Sequence, residues 1–358
     1  MRATPRSARG SSRRPVRALC GCRAPRATTP TIRCGIFCAQ CGIPGVRPSP
    51  LRCAGWSLNS NPVAEKRFSL NPRDLLPPRA ILEFFAHHGR DLPWRHPAIG
   101  AWPILVSEVM LQQTPVARVL PVFEHWLRTW PTPGHLAADA PGDAVRAWGR
   151  LGYPRRALRL HACATAIITD HGGVVPEEVD VLLTLPGVGD YTARAVAAFA
   201  YGAAAPVVDT NVRRVINRAI RGNNDAGPAT AADRSLMQTL LPDQQAATFS
   251  AAVMELGALI CTRAAPECGR CPLRESCRWL AAGQPSSEVR NKKQAWNGTD
   301  RQVRGRILAL LRDAPEPLSE AEVRLAWPDA EQWQRCVNSL LADKLIARAD
   351  GQALMLPS

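Results

Sequence analysis

Four cysteines near the end of the long helical part of this sequence constrain the chain more than any other feature. Cys261, Cys268, Cys271 and Cys277 follow the spacing C-x6-C-x2-C-x5-C within CTRAAPECGRCPLRESC. Four thiolates in one short loop can surround a single tetrahedral metal ion or an iron–sulfur cluster. Spacing alone leaves zinc and a [4Fe-4S] cluster both open, because zinc sites commonly use two CxxC pairs and this loop has one.

Positive charge is concentrated at the N-terminus. Residues 1–62 contain eleven Arg and no Lys, Asp or Glu, so they supply +11 of the formal net charge of +15. The rest of the chain is only mildly basic, and nucleic-acid binding therefore has to be argued from local motifs. One such local feature is the cysteine loop, whose Arg263, Arg270, Arg274 and Arg278 indicate a surface for phosphates.

The N-terminal tail, 1–66, is rich in Arg, Pro and Cys and predicts disorder. Its cysteines Cys34, Cys38, Cys41 and Cys53 match a zinc site only loosely. An Arg-rich leader without acidic residues resembles an organelle transit peptide, but its prolines argue against the amphipathic helix that such a peptide needs. A translation start assigned too far upstream explains the tail equally well.

The cellular setting is predicted from the apolar runs and the cysteines of the sequence. No apolar run reaches membrane-spanning length, since the best candidate, 195–208, is short and broken by Gly202 and Pro206. The unpaired Cys163 and Cys336, with the four-thiolate loop, fit a reducing compartment. We expect a monomeric protein of the bacterial cytoplasm that associates with the nucleoid.

Helical periodicity dominates the chain. Apolar residues recur every three or four positions from about Phe68 to Leu280, with breaks at Pro, Gly or Asn, and no pair of strands is evident. The predicted fold class is therefore all-α. The C-terminal part predicts three helices and an Asp-Gly hairpin, which suits a small winged helix or, equally, a plain helical cap. The predicted domains are a core at 67–282 with its cysteine loop at 261–277, a linker at 283–300 and the C-terminal module at 301–358.

A glycine-containing turn links two amphipathic helices at LPGVGDYTARA, 185–195. Gly187 and Gly189 let the backbone turn tightly and bring its N–H groups to a phosphate at the start of the second helix, where the helix dipole favours an anion. This pattern is typical of a sequence-independent grip on DNA.

Two carboxylates are candidates for catalysis. Glu108 lies in the apolar stretch LVSEVML, where a charge is costly unless it is paired with an arginine or used in chemistry. Burial would raise its pKa toward neutrality, which suits a general acid. Asp209 precedes the helix NVRRVINR, and its default role is that of an N-cap.

Together these motifs resemble the helix-hairpin-helix DNA glycosylases of the endonuclease III type. The resemblance covers about 215 of the 358 residues. Within that superfamily the segments LPWR (92–95), SEVMLQQT (107–114) and RLGY (150–153) resemble the adenine glycosylases of the MutY type. This resemblance implies a core of two helical lobes that carries a [4Fe-4S] cluster. It also implies removal of adenine paired with 8-oxoguanine or guanine in double-stranded DNA.

The resemblance also implies roles for individual residues. Glu108 matches the acid that protonates adenine N7, and Asp209 the carboxylate that stabilises the oxocarbenium-like sugar. The remaining matches are Tyr191 and Asn211 as supports of this pair, Trp94 and Arg95 in the base pocket, Gln112, Gln113 and Tyr153 as a wedge into the duplex, and Cys261, Cys268, Cys271 and Cys277 as ligands of the cluster.

Tyr191 separates two kinds of chemistry. The endonuclease III type has a lysine at this position, whose amine forms a Schiff base with the sugar and allows strand cleavage. A phenol cannot do so, which implies a monofunctional enzyme that leaves an abasic site in an intact strand.

Two departures from the resemblance affect recognition of the base opposite adenine. Only 81 residues follow Cys277, too few for the MutT-like domain that inspects 8-oxoguanine in many members, and Pro154 replaces a second tyrosine after Tyr153. Activity on A:G pairs is therefore expected to be relatively stronger.

Two alternatives remain at this point. A thymine mismatch glycosylase on the same scaffold also carries tyrosine at position 191. A non-catalytic DNA-binding or regulatory protein suits the C-terminal module.

Overall fold

A computed structural model describes residues 71–225, 227–286, 296–349 and 352–358. The tail with its possible zinc cysteines, the middle of the linker (287–295) and the Asp350-Gly351 turn lie outside the described residues. The described chain is built mainly of helices. They are α1 (Pro72–Leu75), α2 (Pro78–His88), α3 (Ala101–Leu111), α4 (Val116–Thr129), α5 (Pro133–Ala138), α6 (Pro141–Trp148), α7 (Arg155–His171), α8 (Val179–Leu182), α9 (Asp190–Tyr201), α10 (Thr210–Ile216), α11 (Ala231–Leu240), α12 (Ala246–Leu259), α13 (Arg278–Ala281), α14 (Asp300–Asp313), α15 (Glu320–Arg324) and α16 (Ala330–Ala342).

The predicted all-α class and its two lobes are confirmed by two separate apolar cores. The first core is formed by helices α3 to α9, and the second by α1, α2 and α10 to α12. Helix α3 is apolar on every side, which is the pattern of a helix surrounded by protein, and eight of its eleven residues are buried. The cysteine loop follows α12 and belongs to the second lobe.

Three local differences from the predicted helices appear near functional segments. Helix α3 ends at Leu111, because Gln112 leaves the helical conformation and Gln113 takes a left-handed one with φ +56°. Helix α8 has only one helical turn. A tight turn follows it, in which the Thr184 hydroxyl donates a hydrogen bond to the Val181 carbonyl. Helix α10 continues into a π turn at Asn217–Arg221, whose Arg218 side chain reaches the cysteine loop.

The C-terminal segment has the helices and the hairpin that its sequence predicts. Strands β1 (Ala347–Arg348) and β2 (Leu354–Met355) pair antiparallel, with Ala347 opposite Met355, and Leu318 forms a further bridge to Leu354. Helices, bridge and hairpin follow the order expected for a winged helix. Apolar residues of α14 and α16 join the first core.

Membrane insertion has no support in the helices. Among the described residues, none has the length and apolar character that a bilayer crossing requires.

Candidate active site

Glu108 lies on α3 with its carboxyl group enclosed by protein. Only 5% of the residue is exposed, and its Oε2 has no hydrogen-bond partner. Burial raises the pKa of Glu108 to about 7; a hydrogen bond from Tyr191 and the charge of Arg95 oppose the rise, and the charge of Asp209 adds to it. A carboxyl group in this state is available as a proton donor near neutral pH.

The alternative role of Glu108, as the partner of a buried arginine, is not what the structure shows. Arg95 is the arginine that influences Glu108, but its Nη2 donates to Glu255 Oε2 at 2.9 Å. Glu255 is fully buried on α12 and also accepts from Arg90 Nε at 2.7 Å and Nη2 at 2.8 Å. Burial by itself would raise the pKa of Glu255, but these hydrogen bonds hold it at about 2. The charge of Arg95 is therefore already paired.

Asp209 is the N-cap of α10, as its position predicts. Its Oδ1 accepts from the Val212 N–H at 2.7 Å, and its Oδ2 accepts from Asn211 Nδ2 at 2.7 Å. Burial raises the pKa of Asp209, while these hydrogen bonds and the charge of Arg214 act against the rise. The carboxylate is thus held by donors that favour its ionised form.

A second layer of contacts fixes Asn211. Arg214 Nη2 donates to Asn211 Oδ1 at 2.8 Å and to the Gly257 carbonyl at 2.6 Å, while its Nε donates to the Cys261 carbonyl at 2.6 Å. At Gly257 a Cβ would lie 2.8 Å from the Asn211 Cβ and carbonyl oxygen, so only glycine allows this approach. Helices α10 and α12 are thereby locked together beside the carboxylate.

Tyr191 connects the two carboxylates. It stands at the start of α9, and burial, followed by the charges of Glu108 and Asp209, raises its pKa well above the ordinary value. The phenol therefore stays protonated and can donate. The structure brings Glu108, Tyr191, Asp209, Asn211 and Arg95 into one electrostatic environment, to which four separate segments of the sequence contribute.

Trp94 and Glu255 differ most from what the sequence suggested. Trp94 is only 7% exposed and packs edge-on against Phe123 at 5.1 Å, so its ring belongs largely to the first core. Sequence reasoning missed Glu255, although a lone acidic residue in the apolar stretch FSAAVMELGALIC is the same signal that drew attention to Glu108.

The glycine turn contains two glycines, and each position requires or suits glycine for a different structural reason. Gly187 has φ +81°, and a Cβ there would lie 2.7 Å from the Cβ of Arg159, so packing and conformation both require glycine. Gly189 is the N-cap of α9, and a Cβ there would meet no protein atom within 4 Å. That open space lies where the N–H groups of a helix N-terminus attract an anion.

The predicted wedge residues lie on two loops that face one another. Gln112 ends α3 and its Nε2 donates to Thr192 Oγ1 at 3.3 Å, while Gln113 follows in a left-handed conformation. Tyr153 precedes α7, also has a positive φ of +49°, and is 58% exposed. An exposed tyrosine in a strained backbone conformation is unusual for a packing residue.

The four cysteines of the loop are free thiols in one electrostatic environment. Burial raises the pKa of Cys271 to about 12, and the other three thiols contribute to that rise. Cys261 Sγ accepts from Arg218 Nη1 at 3.4 Å, and Cys268 Sγ from Gln284 Nε2 at 3.3 Å. Across the described residues, His, Cys, Asp and Glu side chains form no group of three or more that could hold a metal ion.

Sequence comparisons place the chain among known repair proteins. Residues 106–239 match the profile described as "HhH-GPD superfamily base excision DNA repair protein". The chain is 54% identical over 278 residues to the adenine DNA glycosylase of Mycolicibacterium smegmatis, covering 77% of this chain and 94% of that protein. It is 38% identical over 209 residues to the human adenine DNA glycosylase, covering 56% of this chain and 38% of that protein.

Solved structures share the helical fold. A thermostable thymine-DNA glycosylase matches with a TM-score of 0.54 and 29% identity, over 62% of this chain and 99% of that one. A trapped endonuclease III–DNA covalent intermediate matches with a TM-score of 0.52 and 22% identity, over 60% of this chain and 100% of that one. The second likeness concerns the fold alone.

Proposed function

Because this chain belongs to the adenine DNA glycosylases of the HhH-GPD superfamily, we propose that it hydrolyses the N-glycosidic bond of adenine mispaired with guanine or 8-oxoguanine in duplex DNA. Its high-identity relatives are named adenine DNA glycosylases, and the profile that it matches describes base excision DNA repair proteins. The observation that carries the proposal is the pair of carboxylates. Glu108 is buried with a pKa of about 7, and Asp209 is held by hydrogen-bond donors at a helix N-terminus.

Glu108 acts as the general acid. Adenine is a poor leaving group until a ring nitrogen is protonated, and a carboxyl group with a pKa near 7 is protonated often enough to supply that proton. The unpartnered Oε2 is the atom from which a flipped base can receive a hydrogen bond. The family resemblance assigns N7 as the acceptor.

Asp209 stabilises the positive charge that develops on the sugar as the base departs. Its two oxygens are held by Val212 and Asn211, so the carboxylate does not have to reorganise during the reaction. Acid-assisted glycoside cleavage uses two carboxyl groups in these separate roles. A water molecule then completes the hydrolysis.

Tyr191 limits the reaction to base release. Its phenol carries no amine for a Schiff base, and its high pKa keeps the proton on the oxygen that faces Glu108. The product is therefore an abasic site in an intact strand.

Arg95 forms the edge of the base pocket, while the adjacent Trp94 supports it from the first core. Arg95 is oriented by Glu255, and its guanidinium lies 5.2 Å from the centre of the Phe85 ring. Glu255 thus fixes a cation close to Glu108 without allowing that cation to pair with the catalytic acid, which would lower the pKa of Glu108.

DNA is bound through the glycine turn and the two wedge loops. The open space at Gly189 and the N-terminus of α9 suit a backbone phosphate, which requires no particular base sequence. Gln112, Gln113 and Tyr153 enter the duplex beside the opposing base and offset the cost of extruding adenine, a few kcal/mol.

We infer that Cys261, Cys268, Cys271 and Cys277 hold a [4Fe-4S] cluster, although in the described part of the structure their side chains do not form a group of three or more that could hold a metal ion. The support is the chemistry of the donors, since four free thiols share one loop and two of them accept hydrogen bonds from side chains. When bound, such a cluster would stabilise the fold of the loop and thereby hold the arginines of the loop in position to contact DNA phosphates. Iron and acid-labile sulfide in the purified chain test this assignment.

Single-turnover base release from three duplexes tests the proposed function. The duplexes carry A opposite 8-oxoguanine, A opposite guanine and T opposite guanine, and alkali treatment reveals abasic sites. We expect adenine release from the first two and intact strands before alkali. Thymine release would favour the activity named for the thymine-DNA glycosylase that shares this fold. No release from any duplex, from protein that still binds DNA, would favour a non-catalytic role.

A further inference from the structure

Arg156 is a buried arginine that the proposed chemistry does not use. It is only 7% exposed and lies in the first turn of α7. Its guanidinium donates to five oxygen atoms, two in the last turn of α3 and three in the loops that follow α3 and precede α7. Nη1 donates to the carbonyls of Val109 at 2.8 Å, Met110 at 3.0 Å and Gln112 at 2.7 Å, and Nη2 donates to Thr114 Oγ1 at 3.0 Å and to the Gly152 carbonyl at 3.1 Å.

These oxygens flank the two strained residues of the wedge. Gln113, with φ +56°, lies between Gln112 and Thr114, and Tyr153, with φ +49°, directly follows Gly152. A left-handed conformation at a residue other than glycine is strained and persists only where the surroundings impose it. The Arg156 guanidinium also lies 5.4 Å from the centre of the Tyr153 ring. One side chain therefore supports both strained positions.

Fold stability alone is a weak explanation for this arginine. Its Nε is buried without a hydrogen-bond partner, and burial lowers the pKa of Arg156 to about 10. Well-packed apolar side chains often stabilise a protein as much as a buried charged group does. What an apolar residue could not provide is simultaneous donation to the end of α3 and to the turn before α7.

We propose that Arg156 is a positioning residue that holds Gln113 and Tyr153 in their left-handed conformations, so that both enter the duplex together when adenine is extruded. This inference rests on the proposed function, because it needs a base to extrude. It also ties the wedge to α3, the helix that carries Glu108, so that insertion and proton donation share one rigid support.

A lysine at position 156 is the sharpest variant. It keeps the positive charge but is a single point donor, which cannot reach both loops in the geometry of a planar guanidinium. Arg155→Lys is the matched control, because Arg155 is the adjacent residue and its side chain is exposed. Its guanidinium forms an ion pair with Asp343 at 3.2 Å.

Extrusion is measured without cleavage in a Glu108→Gln background. 2-Aminopurine replaces adenine opposite 8-oxoguanine, and its fluorescence rises when the base leaves the stack. We expect Arg156→Lys to slow this rise by about 10- to 100-fold, the usual effect of misplacing a positioned group, and Arg155→Lys to leave it within about twofold. Affinity for a duplex with an abasic analogue, which has no base to extrude, should fall by less than about fivefold for both variants.

Three outcomes would overturn the inference. They are an unchanged fluorescence rise for Arg156→Lys, the same slowing for Arg155→Lys, and a loss of affinity for the abasic duplex as large as the loss of extrusion rate. The last outcome would make Arg156 a general structural residue. A failure of the proposed function is seen separately, since the unsubstituted chain would then release no adenine while the fluorescence comparison could still be made.

Discussion

The two ends of the candidate site treat a buried carboxyl group in opposite ways. On α3, in the first lobe, Glu108 is buried in a mainly apolar helix, and one of its oxygens has no partner while a hydrogen bond comes from Tyr191. At the start of α10, in the second lobe, Asp209 accepts two hydrogen bonds of 2.7 Å. Similar side chains therefore take different roles: at Glu108 burial outweighs the hydrogen bond from Tyr191 and raises the pKa to about 7, whereas at Asp209 several donors oppose the rise that burial causes.

The difference extends to the lobes themselves. The first lobe packs mainly apolar residues around Glu108, whereas several arginines in the second lobe pair with a carboxylate or an aromatic ring. Arg213 and Arg221 bind the fully buried Asp233, and Arg218 lies 4.3 Å above the Trp279 ring and donates to the carbonyl of Thr262. The apolar lobe can raise a pKa, while the arginine-rich lobe supplies donors and positive charge.

The largest effect is expected for Glu108→Gln. The amide cannot donate a dissociable proton, so single-turnover adenine release should fall by about 10²- to 10⁴-fold while affinity for the mispaired duplex is retained. Rapid-quench kinetics and a binding titration on the same preparation provide the test. If affinity falls in parallel with the rate, Glu108 is a structural residue, and the proposed contrast between an acid at Glu108 and an anion at Asp209 is wrong.

A slightly smaller effect is expected for Asp209→Asn. Asparagine caps helices as well as aspartate does, so the fold should be preserved while the negative charge is lost. Adenine release should slow by about 10²- to 10³-fold, the range for loss of one electrostatic contact to a transition state. A rate near that of the unsubstituted chain would mean that Asp209 serves only as a cap.

The pH dependence of unfolding separates the two carboxyl environments. The pKa of Glu108 is raised to about 7 from an ordinary value of 4.5, so folding favours its protonated form. The corresponding stability is fully present below about pH 4.5 and is lost as pH rises to 7, by about 3 kcal/mol. Near pH 8, Glu108→Gln should therefore exceed the unsubstituted chain in free energy of unfolding by about 3 kcal/mol.

Denaturant titrations of both proteins at acidic and alkaline pH measure this difference. The gap should nearly close below about pH 4, where the carboxyl group is protonated in both folded and unfolded states. A gap that does not change with pH would show that the gain comes from packing of the amide rather than from the removal of a costly charge.

The smallest effect concerns the cap. Asp209→Ala should unfold more easily than Asp209→Asn by about 1 kcal/mol, because alanine cannot accept the Val212 N–H. Ser319→Ala is the matched control for the loss of a helix cap. Ser319 caps α15 within a capping box, far along the chain from the candidate site. It should cost about as much stability without changing adenine release. Equal stability of the two Asp209 variants would contradict the capping role.

The sequence allowed much of this site to be predicted, for reasons that are local. The N-cap at Asp209 and the cysteine loop depend on residues a few positions apart, and the isolated acid at Glu108 stands out against its apolar neighbours. These features are visible because the interactions of a helix N-terminus or a short loop lie within one stretch of chain.

Other features depended on contacts between distant segments. Glu255 orients Arg95 from 160 positions along the chain, and Arg156 donates to Thr114 from 42 positions away. The docking of the C-terminal segment is similar, since the Pro357 carbonyl accepts from the Gly142 N–H at 2.7 Å. Local patterns do not specify such pairs.

By itself the sequence determined the helical class, the glycine turn, the cysteine loop and the identity of both carboxylates, because each depends on side-chain type and short spacing. Only the tertiary structure decided what each carboxylate is suited to do. A pKa depends on how much water is excluded and which donors lie nearby, and both follow from how the two lobes pack around Glu108 and Asp209.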